Sequence, residues 1–195
     1  AIDKDNIVAS IYNNNYAVAD FPLDYGHYLY PEDSEKIEYN RDKAKQILED
    51  AGWVYKYGEW RKTENYRTRT IDLTIIVDST NENRVKVAKL IEKQLESIGI
   101  NVYVNDVTKS GYERRLKQKD YEIILTGVYN SYSPDLTYFY GEDNLANFEN
   151  EEMNNLLNEV KSIADENMLK EKYKNIINIS KDEAAYIGLY RNKNT

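Results

Sequence analysis

The segment from Gly127 to Asp135 concentrates side chains that could recognise a ligand. It reads Gly-Val-Tyr-Asn-Ser-Tyr-Ser-Pro-Asp, so phenol, amide, hydroxyl and carboxylate groups follow one another in a single run. These groups donate and accept hydrogen bonds, and the proline stiffens the end of the segment. An alternative interpretation is that Ser-Pro-Asp forms a plain turn in which Asp135 only serves the start of the next helix. The candidate ligand-binding residues are Tyr129, Asn130, Ser131, Tyr132 and Asp135.

Two other polar loops are weaker candidates for a site. The loop 78–81, Asp-Ser-Thr-Asn, contains no glycine and precedes a predicted helix, so we expect its side chains to cap that helix. The loop 108–111, Thr-Lys-Ser-Gly, could offer a phosphate group a helix N-terminus and a lysine. It lacks the glycine-rich order of a P-loop, so a nucleotide site there has little support.

The sequence lacks the residue patterns of common enzymes and metal sites. With no Cys and one His, it excludes thiolate nucleophiles, sulfur-based zinc cages and multi-histidine metal sites. His27 lies in a Tyr-rich loop, and no Gly-x-Ser-x-Gly motif accompanies it, so we interpret it as a plain loop histidine. Acidic neighbours such as Glu151 and Glu152 point apart on a helix. The sequence therefore predicts no catalytic residue, no cofactor and no metal.

Charge and hydropathy restrict the partners. The 26 basic and 34 acidic residues give a net charge of −8, which repels a phosphate backbone, so no nucleic acid is expected. No window approaches the about 20 apolar residues of a membrane-spanning helix. The polar start at Ala1 suggests that an upstream segment was removed. The 19 Tyr residues indicate either a compositional bias or a tyrosine-lined ligand groove.

Hydrophobic periodicity predicts three strands joined by two helices between residues 71 and 128. Apolar residues alternate over 71–77 and again from residue 100, and residues 121–128 are apolar on both faces, so these three segments are predicted strands. Apolar residues at helical spacing lie over 81–98 and 112–117, so these two segments are predicted helices. Because the connections are too long for hairpins, we expect a parallel β-α-β-α-β unit with right-handed crossovers. Ligands bind at the carboxyl ends of such strands, where the candidate loops lie.

Further elements flank this unit. Asp3 and Asn40 are predicted to cap helices, the second carrying an apolar stripe, and residues 54–70 are predicted to form an exposed two-stranded ribbon. Asn150 is expected to cap a later helix, followed by one more helix and a last strand over 184–190. The predicted fold class is therefore α/β, with a mostly parallel sheet flanked by helices. The stripe of the second helix comprises Ala44, Ile47, Leu48 and Ala51.

Several segments together resemble the extracellular solute-binding family of oligopeptide and dipeptide transporters. They are the opening residues 1–8, the helix 43–53 ending in Ala-Gly-Trp, and the turn 94–100 with Ile-Gly-Ile. The resemblance continues through residues 121–127, Asn147-Phe148, Leu156-Leu157 and 184–190, so it spans essentially the whole chain. It implies a lobe like that of the type II periplasmic binding proteins. Residues 1–195 would then be the single C-terminal lobe of a larger two-lobe protein that closes over its ligand.

The same resemblance implies a function in uptake. Members of the family are substrate-binding components of ABC importers, so the resemblance implies an oligopeptide ligand, permease partner subunits and no catalysis. It also implies a monomer outside the cell or in the periplasm, attached to a membrane only through a lipid anchor beyond this segment. Two alternatives stay open: a sugar or signal-peptide sensor lobe that uses tyrosine stacking, and an α/β enzyme with an unrecognised site.

The resemblance also assigns a role to the candidate ligand loop. Members that bind peptides resemble Gly-Trp-x-x-Asp at the positions matching Gly127 onward, and their Asp anchors the amino group of the peptide by a charge-assisted hydrogen bond. In this chain Val128 stands in place of the Trp and Ser131 in place of the Asp. The resemblance therefore leaves the identity of the ligand open.

Overall fold

The computed structural model describes residues 1–23, 26–31, 33, 37–128 and 134–193. The chain divides into two compact units. Unit 1 contains Ala1–Asn13 and Glu38–Gly127, and unit 2 contains Asn14–Ile37 and Val128–Thr195. Four candidate ligand residues of the sequence, Tyr129 to Tyr132, lie outside the described residues.

The described residues form seven α-helices and eight β-strands, numbered here in chain order. The helices are α1 (Lys4–Tyr12), α2 (Arg41–Asp50), α3 (Glu82–Glu96), α4 (Lys109–Gln118), α5 (Thr137–Tyr140), α6 (Glu151–Glu159) and α7 (Glu166–Glu183). The strands are β1 (Tyr16–Val18), β2 (Val54–Lys56), β3 (Glu59–Glu64), β4 (Arg67–Thr70), β5 (Asp72–Asp78), β6 (Asn101–Val107), β7 (Ile123–Ile124) and β8 (Tyr190–Asn192). A turn of 3-10 helix, Val160–Ser162, follows α6.

A parallel sheet of order β6-β5-β7 forms the centre of unit 1. Leu73 pairs with Val102 and Ile75 with Ile123, both in parallel register, so the predicted parallel arrangement is confirmed. Helix α3 packs on β5 and β6 and buries the stripe Val87, Ala88 and Ile91. The third strand is shorter than predicted, because only Ile123–Ile124 of the segment 121–128 forms ladder pairs.

An antiparallel sheet of order β2-β3-β4 is the second sheet of unit 1. The prediction of two strands was wrong, because the chain turns a second time at Asn65 and Tyr66, with φ values of 49° and 63°. Residues 67–70 then pair along β3. Trp60 is buried, and its indole Nε1 donates a hydrogen bond of 2.7 Å to the Ile98 carbonyl, which holds this sheet against the end of α3.

Helix α2 is formed by local signals more than by burial. The Asn40 side chain accepts a hydrogen bond from the Lys43 backbone N–H, and Gly52 follows the helix with a left-handed φ of 83°. None of the ten residues of α2 is buried, and Ile47 is 59% exposed. The sequence therefore predicted this helix correctly, but its apolar stripe does not reach the core of unit 1.

Unit 2 is mainly helical. Its strands β1 and β8 pair antiparallel, with Tyr16 opposite Asn192. The predicted strand over 184–190 was wrong in its extent, because Ala184 ends α7 in a left-handed conformation and β8 begins only at Tyr190. Aromatic and aliphatic side chains from α5, α6 and α7 form the core of this unit, including Phe139, Tyr140, Met153, Leu156, Leu157, Tyr173, Ile176 and Ile177.

Candidate ligand-binding site

The loop after β5 caps helix α3, as predicted. The Asp78 Oδ1 atom accepts hydrogen bonds from the Thr80 backbone N–H at 2.9 Å and from its hydroxyl at 2.8 Å. The Asn81 Oδ1 atom accepts from the Arg84 backbone N–H at 3.1 Å. The hydrogen bonds from Thr80, and then the positive charges of Lys109 and Arg84, hold the pKa of Asp78 below its usual value.

The loop after β6 caps helix α4 in the same way. The Thr108 hydroxyl oxygen accepts a hydrogen bond of 3.3 Å from the Gly111 backbone N–H. One of the backbone donors that a phosphate group would need at this helix N-terminus is therefore already in use. Lys109 follows Thr108 on the first turn of α4 and is exposed. Its charge faces the Asp78 carboxylate, which lies at the end of the neighbouring strand β5.

The chain leaves β7 through Gly127, which lies against the side chain of Arg84. A Cβ atom at residue 127 would sit 2.3 Å from the Nη2 atom of Arg84 and 3.3 Å from its Cζ atom. The φ of Gly127 lies outside the left-handed region, so the close approach of the guanidinium is what a Cβ atom at residue 127 would disturb. Arg84 is half-buried, and within the described ranges its guanidinium has no carboxylate at ion-pair distance.

Two cations, Arg84 and Lys109, lie at the carboxyl edge of the parallel sheet, where the carboxylates of Asp78, Glu82 and Asp106 also lie. Both cations act on Asp78, whose carboxylate is itself bound to Thr80. Helices α3 and α4 also begin at this edge, and the partial positive charge of a helix N-terminus adds to the same potential. The Arg84 guanidinium is the group at this edge that could bind an anionic group of a ligand, such as a carboxylate. Arg84 was missed in the sequence because its position on a capped helix resembles ordinary surface charge.

A shallow depression of about 300 Å³ lies beside α3 and is a poor candidate for the site. Its lining combines basic and acidic side chains in equal number, so their charges offset one another and select no class of ligand. The lining residues are Ser79, Glu82, Val85, Lys86, Lys89 and Asp106.

Asp135 is the one candidate ligand residue of the sequence that the structure describes. Its Oδ1 atom accepts hydrogen bonds from the Thr137 backbone N–H at 2.9 Å and from the Thr137 hydroxyl at 2.5 Å. These hydrogen bonds lower the pKa of Asp135. The alternative interpretation, in which Asp135 serves the start of a helix, is confirmed for this oxygen atom.

Two further residues of unit 2, Tyr173 and His27, carry titratable side chains with assigned hydrogen bonds. The hydroxyl group of the buried Tyr173 donates a hydrogen bond to the carbonyl oxygen of Pro134, and burial raises the pKa of Tyr173 to about 12. The Nδ1 atom of His27 accepts a hydrogen bond of 3.2 Å from the Leu29 backbone N–H. His27 therefore has the structural role of a loop histidine, as predicted.

Among the described residues, no group of three or more His, Asp or Glu side chains is placed to hold a metal ion. No helix in that part of the chain has both the length and the apolar character needed to cross a membrane.

Comparison with protein families identifies the chain. Residues 1–149 match the family model described as bacterial extracellular solute-binding proteins, family 5, middle region. The chain belongs to this family. The resemblance noted in the sequence is thereby confirmed, and the family is one of solute-binding proteins.

Two curated relatives of this family 5 chain have similar identity. The chain is 26% identical over 200 residues to the oligopeptide-binding protein AppA of Bacillus subtilis, covering 97% of the chain and 36% of AppA. It is also 26% identical over 198 residues to heme-binding protein A of Haemophilus influenzae, covering 96% of the chain and 34% of that protein. The chain spans about a third of the length of the curated relatives it matches.

Solved structures confirm the fold of the family 5 chain. The structure of AppA from Bacillus subtilis in complex with a nonapeptide matches it with a TM-score of 0.82 and 26% identity, covering 97% of this chain and 39% of AppA. A mannohexaose-bound oligopeptide-binding protein from Thermotoga maritima gives a TM-score of 0.82 at 22% identity, with the same coverage. The second likeness shows the fold alone. The predicted architecture, that of type II periplasmic binding proteins, is confirmed.

Proposed function

We propose that this family 5 chain is one lobe, the C-terminal one, of the substrate-binding component of an ABC importer, and that the protein binds oligopeptides by closing two lobes over an extended ligand. Family membership and the likeness to AppA, which was solved with a nonapeptide, support the class of ligand. Within this chain, the proposal rests on the half-buried Arg84 guanidinium at the carboxyl edge of the parallel sheet.

The chemistry of a peptide fits this edge. A peptide ends in a carboxylate, and a guanidinium binds a carboxylate through charge-assisted hydrogen bonds that are shorter and stronger than neutral ones. Lys109 adds a second positive charge, and Asp78, on which both cations act, is engaged by Thr80. In the proposal Arg84 therefore binds the carboxylate of the ligand, and Lys109 strengthens the local potential.

The candidate loop of unit 2 is a separate part of the proposal. Its phenol, amide and hydroxyl groups suit the main-chain N–H and C=O groups of a peptide, whatever its side chains. Asp135 is kept as a candidate contact, and its Oδ1 atom is bound to Thr137. The loop residues are Tyr129, Asn130, Ser131 and Tyr132.

The remaining parts of the proposal concern the whole protein. The protein acts outside the cell or in the periplasm, as a monomer. In the cell-surface form a lipid anchor upstream attaches it to the membrane. It delivers its ligand to ABC permease subunits. It performs no catalysis and needs no cofactor. The description of the family as extracellular solute-binding proteins supports this location and role.

Calorimetric titration of the full-length protein with matched peptides tests the proposal. Each peptide is prepared with a free C-terminal carboxylate and as the C-terminal amide, and mannohexaose is titrated in parallel. We expect the carboxylate form to bind about tenfold more tightly than the amide, since a hydrogen bond to a charged group contributes about 1.5 kcal/mol or more. Arg84→Gln should remove this difference, whereas Lys86→Gln, on the exposed part of the same helix, should keep it. Binding of the sugar and of no peptide would contradict the proposal.

A further inference from the structure

His27 is the single histidine of the chain, and both its imidazole and its carbonyl group hold a turn in unit 2. The Nδ1 atom accepts a hydrogen bond of 3.2 Å from the Leu29 backbone N–H. The His27 carbonyl oxygen accepts a second hydrogen bond, of 2.7 Å, from the Tyr30 backbone N–H. These two hydrogen bonds close residues 27–30, which we call the His27 turn. The imidazole thus takes the part that an Asn or Asp side chain takes in an Asx-turn, where it binds the backbone two residues on.

The His27 turn carries two residues of the core of unit 2. Leu29 is fully buried and Tyr30 is buried, and both belong to the same apolar cluster as Leu136 and Tyr173. The Tyr173 hydroxyl group also donates a hydrogen bond to the carbonyl oxygen of Pro134. The turn therefore shares its core with the segment that precedes α5, and the position of Leu29 in this core depends on the closed turn.

The hydrogen bond from Leu29 requires the neutral imidazole. An N–H donor needs a lone pair on its acceptor, so Nδ1 carries no proton and Nε2 carries one. An imidazolium ion has N–H groups at both nitrogens, and its Nδ1–H would face the Leu29 N–H. Protonation at Nδ1 therefore replaces an attraction by a contact between two donors.

The imidazole ring has little freedom to avoid that contact. It is half-buried and lies against the Tyr28 ring, with 4.8 Å between the ring centres and 30° between the planes. Turning the ring over in this stack would place a carbon atom where Nδ1 lies, and carbon does not accept a hydrogen bond. The stacked ring can therefore hold the turn only in the neutral form.

Among the described residues, the other titratable groups around the turn keep their charge between about pH 5 and about pH 7.5, since carboxyl groups ordinarily lose their proton below this range and phenols and ammonium groups above it. The hydrogen bond to Lys174, of 2.6 Å, lowers the pKa of Asp33 further. The hydrogen bonds from Thr137 lower the pKa of Asp135 in the same way, and burial raises the pKa of Tyr173 to about 12. These groups are Tyr28, Tyr30, Asp33, Asp135, Tyr173, Lys174 and Lys181, the last with its Nζ atom 5.6 Å from the centre of the Tyr30 ring.

We propose that the His27 turn is an acid-sensitive switch in unit 2. Above about pH 6.5, where an imidazole is ordinarily neutral, Nδ1 binds the Leu29 N–H and the turn is closed. At lower pH, Nδ1 takes a proton from the solvent, the hydrogen bond from Leu29 breaks and the turn opens. The packing of Leu29 in the core of unit 2 is thereby weakened. The switch does not depend on the proposed function, because every step takes place within residues 27–30.

Nuclear magnetic resonance of the chain tests the switch, and the single histidine makes the imidazole signals unambiguous. At about pH 7.5 we expect the nitrogen signals of His27 to show the proton on Nε2. The protection of the Leu29 amide against hydrogen exchange, corrected for the intrinsic rate at each pH, should fall about tenfold between about pH 7.5 and about pH 5. This fall corresponds to about 1.4 kcal/mol, which is within the range of one hydrogen bond. The Arg84 amide, bound to Asn81 in unit 1, is the internal reference and should keep its protection.

Two substitutions separate the acceptor from the aromatic ring. His27→Asn keeps a side-chain acceptor for the Leu29 N–H and does not titrate, so the protection of the Leu29 amide should be the same at both pH values. His27→Phe keeps a ring against Tyr28 without an acceptor, so this amide should be weakly protected at both. The comparison of the unsubstituted chain with His27→Asn remains decisive if His27→Phe does not fold.

Four results would overturn the inference. They are a proton on Nδ1 at about pH 7.5, equal protection of the Leu29 amide at the two pH values, and a fall in His27→Asn as large as in the unsubstituted chain. The fourth is an equal fall for the Arg84 amide, which would indicate acid unfolding of the whole chain instead of a local switch.

Discussion

The guanidinium of Arg84 lies so close to Gly127 that a Cβ atom on the glycine would be 2.3 Å from Nη2. Arg84 is on the first turn of α3, and Gly127 follows the last strand of the parallel sheet. The parallel pairing of β5 with β7 brings the two segments together. The glycine thus leaves space for the cation that we propose to bind the carboxylate of a ligand.

Gly127→Ala should displace the Arg84 side chain at little cost in stability. The atom that the new methyl group would meet is the far end of a flexible side chain, which can rotate away. We therefore expect the free energy of unfolding to change by less than about 1 kcal/mol. The preference of the full-length protein for a peptide carboxylate over the amide should fall as it does in Arg84→Gln, measured by calorimetric titration.

Gly141→Ala provides the matched control for that substitution. A Cβ atom at residue 141 would lie 2.6 Å from the backbone carbonyl oxygen of Thr137, which cannot rotate away. We expect a loss of about 1–3 kcal/mol in the free energy of unfolding, measured by urea denaturation. If Gly127→Ala were as destabilising as Gly141→Ala, the space at residue 127 would be structural and its link to ligand preference would be unsupported.

Asn144→Ala should be among the most destabilising polar substitutions in unit 2. The Asn144 side chain is buried. Its Nδ2 atom donates hydrogen bonds to the carbonyl oxygens of Gly141 and Phe148, at 2.9 and 2.7 Å. Its Oδ1 atom accepts hydrogen bonds from the backbone N–H groups of Ala146 and Phe148, each at 3.0 Å. Alanine removes these four hydrogen bonds, and of the backbone groups the Ala146 N–H keeps the Tyr186 hydroxyl oxygen at 3.2 Å. We expect a cost of about 2–4 kcal/mol. Urea denaturation measures the loss, and the exposed Asn154→Ala should change stability by less than about 0.5 kcal/mol.

Tyr173→Phe should make the protein less sensitive to alkaline pH. Burial raises the pKa of Tyr173 to about 12 in the folded state, whereas the unfolded value is about 10. The unfolded state therefore loses the proton first, and this contribution to stability is present below pH 10 and is lost as the pH rises from about 10 to about 12. Phenylalanine has no such proton, so the slope of stability against pH above 10 should decrease, measured by urea denaturation at several pH values. An unchanged slope in Tyr173→Phe would contradict its buried position.

Thr137→Val should raise the pKa of Asp135. The hydrogen bonds from Thr137 lower that pKa, and valine removes the one from the hydroxyl group, which is the largest cause. A carboxylate with a lowered pKa contributes stability above its unfolded pKa of about 3.9, and this contribution is lost as the pH falls through the folded value. We expect the NMR titration of the Asp135 carboxyl carbon to move to higher pH in Thr137→Val, and acid unfolding to begin at higher pH. Thr63→Val, in the sheet β2-β3-β4, is the control for the loss of a hydroxyl group.

Much of the secondary structure could be predicted from the sequence because it depends on contacts between near neighbours. The caps of α3 and α4 join Asn81 to Arg84 and Thr108 to Gly111, each a distance of three residues, so the residue types alone indicate them. The parallel sheet followed from apolar periodicity and from connections too long for hairpins. The same local reasoning missed the strand β4, since its turn has Tyr66 where the usual signal is glycine.

The amino-acid sequence by itself determined the family, the α/β class and the capped ends of the helices. Each of these depends on residue types in a short window or in a fixed order. Only the tertiary structure decided where Asp135 hydrogen-bonds, that the apolar stripe of α2 stays outside the core, and that Arg84 lies on Gly127. The last relationship depends on the pairing of β5 with β7, which joins distant parts of the chain. Burial and close approach are properties of such pairings, and a window of sequence does not contain them.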